Sequence, residues 1–119
     1  MADLKPAEFV GSSLADIKEM PEETQSLFGF AIYEAQLGGK SPRAKPLKGF
    51  GGANVLEIVD NDESGTYRAV YTVRFASVVY VLHAFQKKSK KGVTTPKPEL
   101  DTIKSRLNNA RAHYEKYYK

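Results

Sequence analysis

The spacing of apolar residues changes twice along the chain. Leu27, Phe28, Ala31, Ile32 and Ala35 recur at helical intervals, which predicts an amphipathic helix that begins at Pro21 and stops at Gly38-Gly39. Glu22 and Glu23 fall in its first turn, where the helix dipole favours negative charge. Phe30, Tyr33 and Leu37 widen the apolar arc, so this helix is expected to lie against a sheet with little of it exposed. Ahead of it, Ser13-Leu14-Ala15-Asp16 resembles a capping box, and Leu14 with Ile17 gives a shorter first helix one apolar edge. Residues 6–11 (PAEFVG) read as a short first strand or a lead-in.

From residue 55 the period falls to two. Residues 55–60 (VLEIVD), 67–75 (YRAVYTVRF) and 78–85 (VVYVLHAF) are β-branched and aromatic runs, separated by turn formers at 61–65 and by Ala76-Ser77. They predict an antiparallel meander. Residues 40–53 hold three Gly, two Pro and four bases without periodicity, and read as a loop from helix to sheet. Helical spacing returns with Leu100, Ile103, Leu107, Ala110, Tyr114 and Tyr117, one face of a C-terminal helix. The expected fold class is α+β: a small twisted antiparallel sheet, a meander of three to four strands, with two N-terminal helices and one C-terminal helix. At 119 residues this is expected to be a single domain, 1–119.

Composition narrows the function classes. The chain is 41 % hydrophobic and 27 % charged, which suits a packed core in water. No apolar run approaches the roughly 20 residues of a membrane span, and the first residues lack a basic start followed by an apolar stretch. A cytoplasmic location and no membrane partner are expected. With no Cys and only His83 and His113, there is no basis for a disulfide framework, a thiol nucleophile or a dedicated metal site, and no cofactor is expected. The net charge of +4 hides a division. From Gln86 onward ten Lys and Arg face three acids, whereas the first 85 residues sum to −3, with Lys40, Arg43, Lys45 and Lys48 as a second basic stretch. Two basic clusters on a bipolar chain attract phosphate backbones. The run Lys87-Lys88-Ser89-Lys90-Lys91 is equally compatible with a solvated face.

A two-residue loop at Ala76-Ser77 would set Arg74 opposite Val79, Thr72 opposite Val81, Val70 opposite His83 and Arg68 opposite Phe85. Arg68, Arg74, His83 and Phe85 then share one face, and Tyr67, Ala69, Tyr71, Val73, Phe75, Val78, Tyr80, Leu82 and Ala84 share the other. The sheet is expected to have a helix side and an Arg/His side. Lys87 and Lys88 leave the last strand near Arg68, so that corner gathers guanidinium, imidazole, ammonium and an aromatic ring. Such a corner suits a scissile phosphate: Arg68 can hold two phosphoryl oxygens, the lysines can neutralise developing charge, and Phe85 can stack on a base. Lys45, Lys48, Lys90 and Arg74 are further candidates for substrate contact. His83 has the only nearby side chain that ordinarily titrates near neutrality, although a strand histidine also serves as a packed residue with one hydrogen bond. Glu57 falls either on the Arg68 face, as an ion-pair partner, or beneath the helices. Gly49-Phe50-Gly51-Gly52 leads into a strand without a P-loop ending and reads as a hinge; Asp60, Asp62 and Glu63 read as solvated turn residues. His113, Tyr114, Tyr117 and Tyr118 read as helix packing or a partner surface.

The run AKPLKGFGGANVLEIV, followed by TYRAVYTVRF, VYVLHAFQKKSKKG and TP, resembles the phage-derived, HigB-like branch of the RelE/ParE superfamily of toxins from toxin–antitoxin pairs. The resemblance covers about residues 6–112. It implies a RelE-like sheet with helices on one face and basic residues on the other. It implies a ribosome-dependent endoribonuclease that cuts mRNA by metal-independent 2′-OH attack on the adjacent phosphate. It also implies a cognate antitoxin, a helix-turn-helix protein encoded beside the toxin. By the same resemblance Arg68 matches the phosphate-binding arginine, Lys87 and Lys88 match the basic pair after the last strand, and Lys45 and Lys48 match more loosely. RelE-type members carry a tyrosine shortly after the basic pair, and residues 89–98 contain none. Glu57 also stands where some relatives place a lysine. The proton acceptor is therefore open between His83 and other groups. The alternatives are a ParE-like inhibitor of DNA gyrase and a non-catalytic nucleic-acid or protein-binding module.

Overall fold

The computed structural model describes residues 4–52, 54–87 and 95–119. Its elements run β1 (Ala7–Phe9), α1 (Ser13–Lys18), α2 (Glu22–Gln36), β2 (Lys45–Pro46), β3 (Val55–Asp62), β4 (Gly65–Thr72), β5 (Val79–Lys87) and α3 (Lys97–Tyr117). The strands form one sheet in the order β1-β5-β4-β3-β2. The expected meander is its centre. To it the fold adds β2, two residues of the basic loop paired with Glu57 and Leu56, and β1, which runs parallel to β5 through Ala7↔Val79 to Phe9↔Val81. Five strands result, where three to four were expected.

Helices cover both faces, and this corrects the expected division into a helix side and an Arg/His side. Ile17 and Met20 around α1, with Phe28, Ala31, Ile32 and Ala35 of α2, pack on Leu56, Ile58, Tyr67, Ala69 and Tyr71. Ile103, Leu107 and Ala110 of α3 pack on Val55, Val70, Tyr80 and Leu82 from the other side. Residues 67, 69 and 71 therefore face α1 and α2, while 68 and 70 face α3, as the pleat requires. No helix among the described residues is long and apolar enough to cross a membrane.

The register carries a second correction. Arg68↔Phe85 and Val70↔His83 pair as expected, but the next pairs are Tyr71↔Val81 and Thr72↔Tyr80. Leu82 is the extra residue of a β-bulge. The bulge turns Val78, Tyr80 and Leu82 onto the α3 face, away from Ala84, with which strict alternation had grouped them. The connection also spans residues 73–78 and is not a two-residue loop; Arg74 and Phe75 have left the ladder. Phe75 instead packs edge-on against Tyr80 at 5.5 Å and on Tyr114 at 4.8 Å.

Capping differs from the sequence pattern as well. Ser12, not Ser13, caps α1, and its hydroxyl donates to Asp16 at 2.8 Å. Ser13 is buried and donates to the Val81 carbonyl instead, tying α1 to β5. Pro21 stands at the N-cap position of α2, so the helix begins at Glu22, one residue later than expected.

α2 also exposes what was expected to be buried. Phe30, Tyr33 and Leu37 point to solvent, because α2 needs only one side to close the core. Gly29 lies mid-helix on that outer side, with nothing within 4 Å of where a Cβ would stand. Gly29→Ala is expected to raise stability by up to about 1 kcal/mol, since alanine removes the entropy cost of a helical glycine. A higher urea midpoint at unchanged slope is the outcome to measure; an unchanged midpoint would show that the backbone there is already restricted.

Candidate active site

Three strands converge beneath the first turns of α3. Arg68 on β4 stands opposite Phe85 on β5, and Thr66 stands opposite Lys87, so Arg68, Phe85 and Lys87 share the α3 face. Glu57 on β3 joins them from the other side. Its Oε1 lies 3.0 Å from Arg68 Nη1, and its Oε2 accepts a hydrogen bond of 2.8 Å from the Thr95 hydroxyl, two residues before α3. The sequence left Glu57 between two faces; the observed placement is the ion-pair option. Arg68 is 4 % exposed, so its guanidinium is held under a cover and not displayed on open surface.

His83 is engaged at both nitrogens. Nε2 lies 2.8 Å from Glu99 Oε1, and Arg106 Nη1 donates to Nδ1 at 3.1 Å. A guanidinium has no lone pair to offer, so Nδ1 must be the acceptor, which leaves Nε2 carrying the hydrogen that Glu99 accepts. Both nitrogens are then committed, and neither can take a substrate proton in this arrangement. Arg106 also donates to the Leu82 carbonyl at 3.1 Å and to Ser12 Oγ at 3.0 Å. It passes directly over Gly11, whose φ is +58°; a Cβ there would meet the guanidinium at 2.8 Å. The His83 ring stacks on Phe85, centroids 5.1 Å apart at 23°. His83 therefore anchors α3 and backs Phe85.

Tyrosine does not supply the missing acceptor. Burial pushes the Tyr80 phenol up to about 12, with Tyr118, Glu8 and Tyr114 adding to the shift. Burial, then the charge of Glu34, pushes Tyr71 to about 12 as well, and Tyr71 faces α2. Both stay protonated at neutral pH.

A cleft of about 330 Å³ opens beside this cluster, lined by Asp16, Glu19, Met20, Tyr67, His83 and Phe85 among others. Its two carboxylates disfavour a phosphate there, so an anion is better placed on the Arg68 and Lys87 side. Among the described residues no three His, Cys, Asp or Glu gather as a metal site.

A protein-family model, phage derived protein Gp49-like (DUF891), matches residues 15–108. The chain belongs to this Gp49-like family. The match takes in α1, α2, the meander and the first half of α3, so both covered faces of the sheet fall inside it. The fold of the Gp49-like chain is similar to that of a RelE toxin. A double arginine-to-alanine variant of Escherichia coli toxin RelE in the free state superposes with a TM-score of 0.53 at 17 % identity, covering 90 % of this chain and 97 % of that one. The toxin–antitoxin complex RelBE2 from Mycobacterium tuberculosis matches with a TM-score of 0.45 at 16 % identity, covering 75 % and 98 %. No curated protein matches the Gp49-like chain.

The remaining predicted residues separate. Lys45 stands opposite Glu57 on β2 and is exposed, and Lys48 is exposed three residues on. Arg74 lies in the connection after β4, roughly 20 Å along the strand from Arg68, and donates to the Phe50 carbonyl at 3.3 Å. It belongs to the opposite end of the sheet, so the expected grouping with Arg68 is corrected. Lys88 and Lys90 lie outside the described residues. Glu99, Arg106 and Thr95 were missed by sequence reasoning. Glu99 and Arg106 stand one turn to either side of the fully buried Ile103, and charged residues in step with an apolar helical face were the available signal.

Proposed function

We propose that this Gp49-like chain is the toxin of a toxin–antitoxin pair and cleaves mRNA on the ribosome. The observation that supports the reading best is the pairing of Arg68 with Phe85 on one face, with Lys87 two residues on, in a chain with the RelE fold. Arg68 and Lys87 would neutralise the scissile phosphate, with Lys88 and Lys90 along the RNA backbone, and Phe85 would stack on a base. The 2′-oxygen, its proton passing to solvent water, would form a bond to phosphorus as the bond to the 5′-oxygen breaks and that oxygen takes a proton from water. Arg68 is 4 % exposed, so a phosphate reaches its guanidinium only if the side chains around it move. The partner that holds the toxin inactive is a cognate antitoxin, a helix-turn-helix protein; the similar RelBE2 structure is itself a toxin–antitoxin complex.

A second reading, a non-catalytic inhibitor of gyrase, is favoured by the Glu57–Arg68 pair and the occupied His83 nitrogens, which commit these side chains to partners within the chain. Induced expression with and without the neighbouring reading frame, followed by mapping of mRNA ends, separates the two. Growth arrest with new ends inside translated messages, relieved by the neighbour, is expected. Arrest with intact messages and falling topoisomerase activity would assign the second reading.

A further inference from the structure

The outer side of α2 is built for contact. At 100° of turn per residue the side chains that α2 buries, Thr24, Phe28, Ala31, Ile32 and Ala35, centre on one direction, and Phe30, Tyr33 and the adjoining Leu37 centre on the opposite one. Phe30 is 65 % exposed, Tyr33 45 % and Leu37 43 %. The rings of Phe30 and Tyr33 lie 6.5 Å apart, so these residues form one stripe two turns long. Scattered apolar residues on a surface need no explanation, but a continuous stripe does. Leu4 is exposed beside its far end, where the Lys5 N–H donates to the Gln36 carbonyl at 3.0 Å.

Charge identifies what fits. α2 carries Glu22, Glu23 and Glu34 and no Lys or Arg. On the same angular count Glu23 and Glu34 border one side of the stripe and Glu22 the other. Over residues 12–37 five acids face a single base, Lys18. A nucleic acid or an anionic membrane is repelled by such a face, and a second copy of the chain would set carboxylates against carboxylates. A helix whose apolar stripe is edged by Lys and Arg is complementary in both respects. Gly29, with open space at its Cβ position, lets a second helix approach the backbone closely.

We propose that the outer face of α2 docks a protein partner presenting a cationic amphipathic helix, laid along Phe30, Tyr33 and Leu37 with its bases against Glu23 and Glu34. This face lies across the sheet from Arg68, so an occupant does not reach the Arg68 cluster, and the inference stands whether or not that cluster cuts RNA.

The test uses the full chain and a designed 18-residue helical peptide with a leucine stripe edged by lysines. The same peptide with glutamates for lysines, vesicles of phosphatidylcholine with phosphatidylglycerol, and sedimentation at rising concentration complete the set. Saturable one-to-one binding of the cationic peptide is expected, weakened at least tenfold by Phe30→Ser with Tyr33→Ser at an unchanged melting temperature. Glu23→Lys with Glu34→Lys should transfer the preference to the anionic peptide, a result that mere stickiness of the stripe would not give. Equal binding of both peptides by the native chain, cationic binding untouched by the serine pair, binding to the vesicles, or self-association lost with the serine pair would each overturn the proposal.

Discussion

Arg68→Ala is expected to remove two things at once, and the structure allows them to be separated. The first is stability. Glu57 is 13 % exposed in its side chain, and without Arg68 its carboxylate keeps only the Thr95 hydroxyl among the partners observed here. Stranding one member of a buried ion pair costs about 3–5 kcal/mol, because the remaining charge stays desolvated without its partner. The second is the proposed cleavage, in which losing a preorganised donor to a developing oxyanion would cost about 10²–10³ in rate. Arg68→Ala combined with Glu57→Ala removes the stranded carboxylate and should recover most of the lost stability while recovering no cleavage. Urea denaturation of the single and double variants, with mRNA end mapping in parallel, reads both quantities. A double variant that regains toxicity would make Arg68 a purely structural residue.

Ile103→Ala is the second large effect. Ile103 is fully buried between α3 and the sheet, and α3 has only Ile103, Leu107 and Ala110 buried along its 21 residues. Truncating it leaves a cavity under a helix with little other apolar seating, for a cost of about 2–5 kcal/mol. The urea midpoint should fall with the slope unchanged. Because Glu99 and Arg106 flank Ile103 by one turn each, the same variant should also loosen both hydrogen bonds to His83. A loss below about 1 kcal/mol would mean that the site collapses around the smaller side chain.

The sequence announced β3 and β4 through their alternation and α2 through its buried positions; the Arg68↔Phe85 pair agrees with the expected register only because the longer connection and the bulge at Leu82 offset one another. It was poorest where a segment is apolar on every side. Residues 78–85 are nearly continuous hydrophobes because β5 lies under helices on both faces, and a strand buried on both faces has no alternation from which to read a bulge. The extra residue at Leu82 was therefore invisible, and with it the reassignment of Val78 and Tyr80. α2 misled for a related reason: Phe30, Tyr33 and Leu37 resemble core residues in type, and only the packed sheet shows that its core is already complete without them. Arg68, Glu57 and Thr95 meet across three separate segments, so their juxtaposition could not be read from local pattern. α3 covers the Arg/His face through Ile103, Leu107 and Ala110, and helical periodicity shows that such a stripe exists but not which face of the sheet receives it.

The parallel pairing of β1 with β5 has a bearing on how the molecule comes into being. Ala7 and its neighbour Val79 are separated along the chain by α1, α2, β2, β3 and β4. Closing so long a loop is a late and slow event. Tyr118 then fastens to Glu8 at 2.5 Å, joining the far end of the chain to that same edge. β1 has no strand neighbour but β5, so it gains its place in the sheet only once β5 is formed.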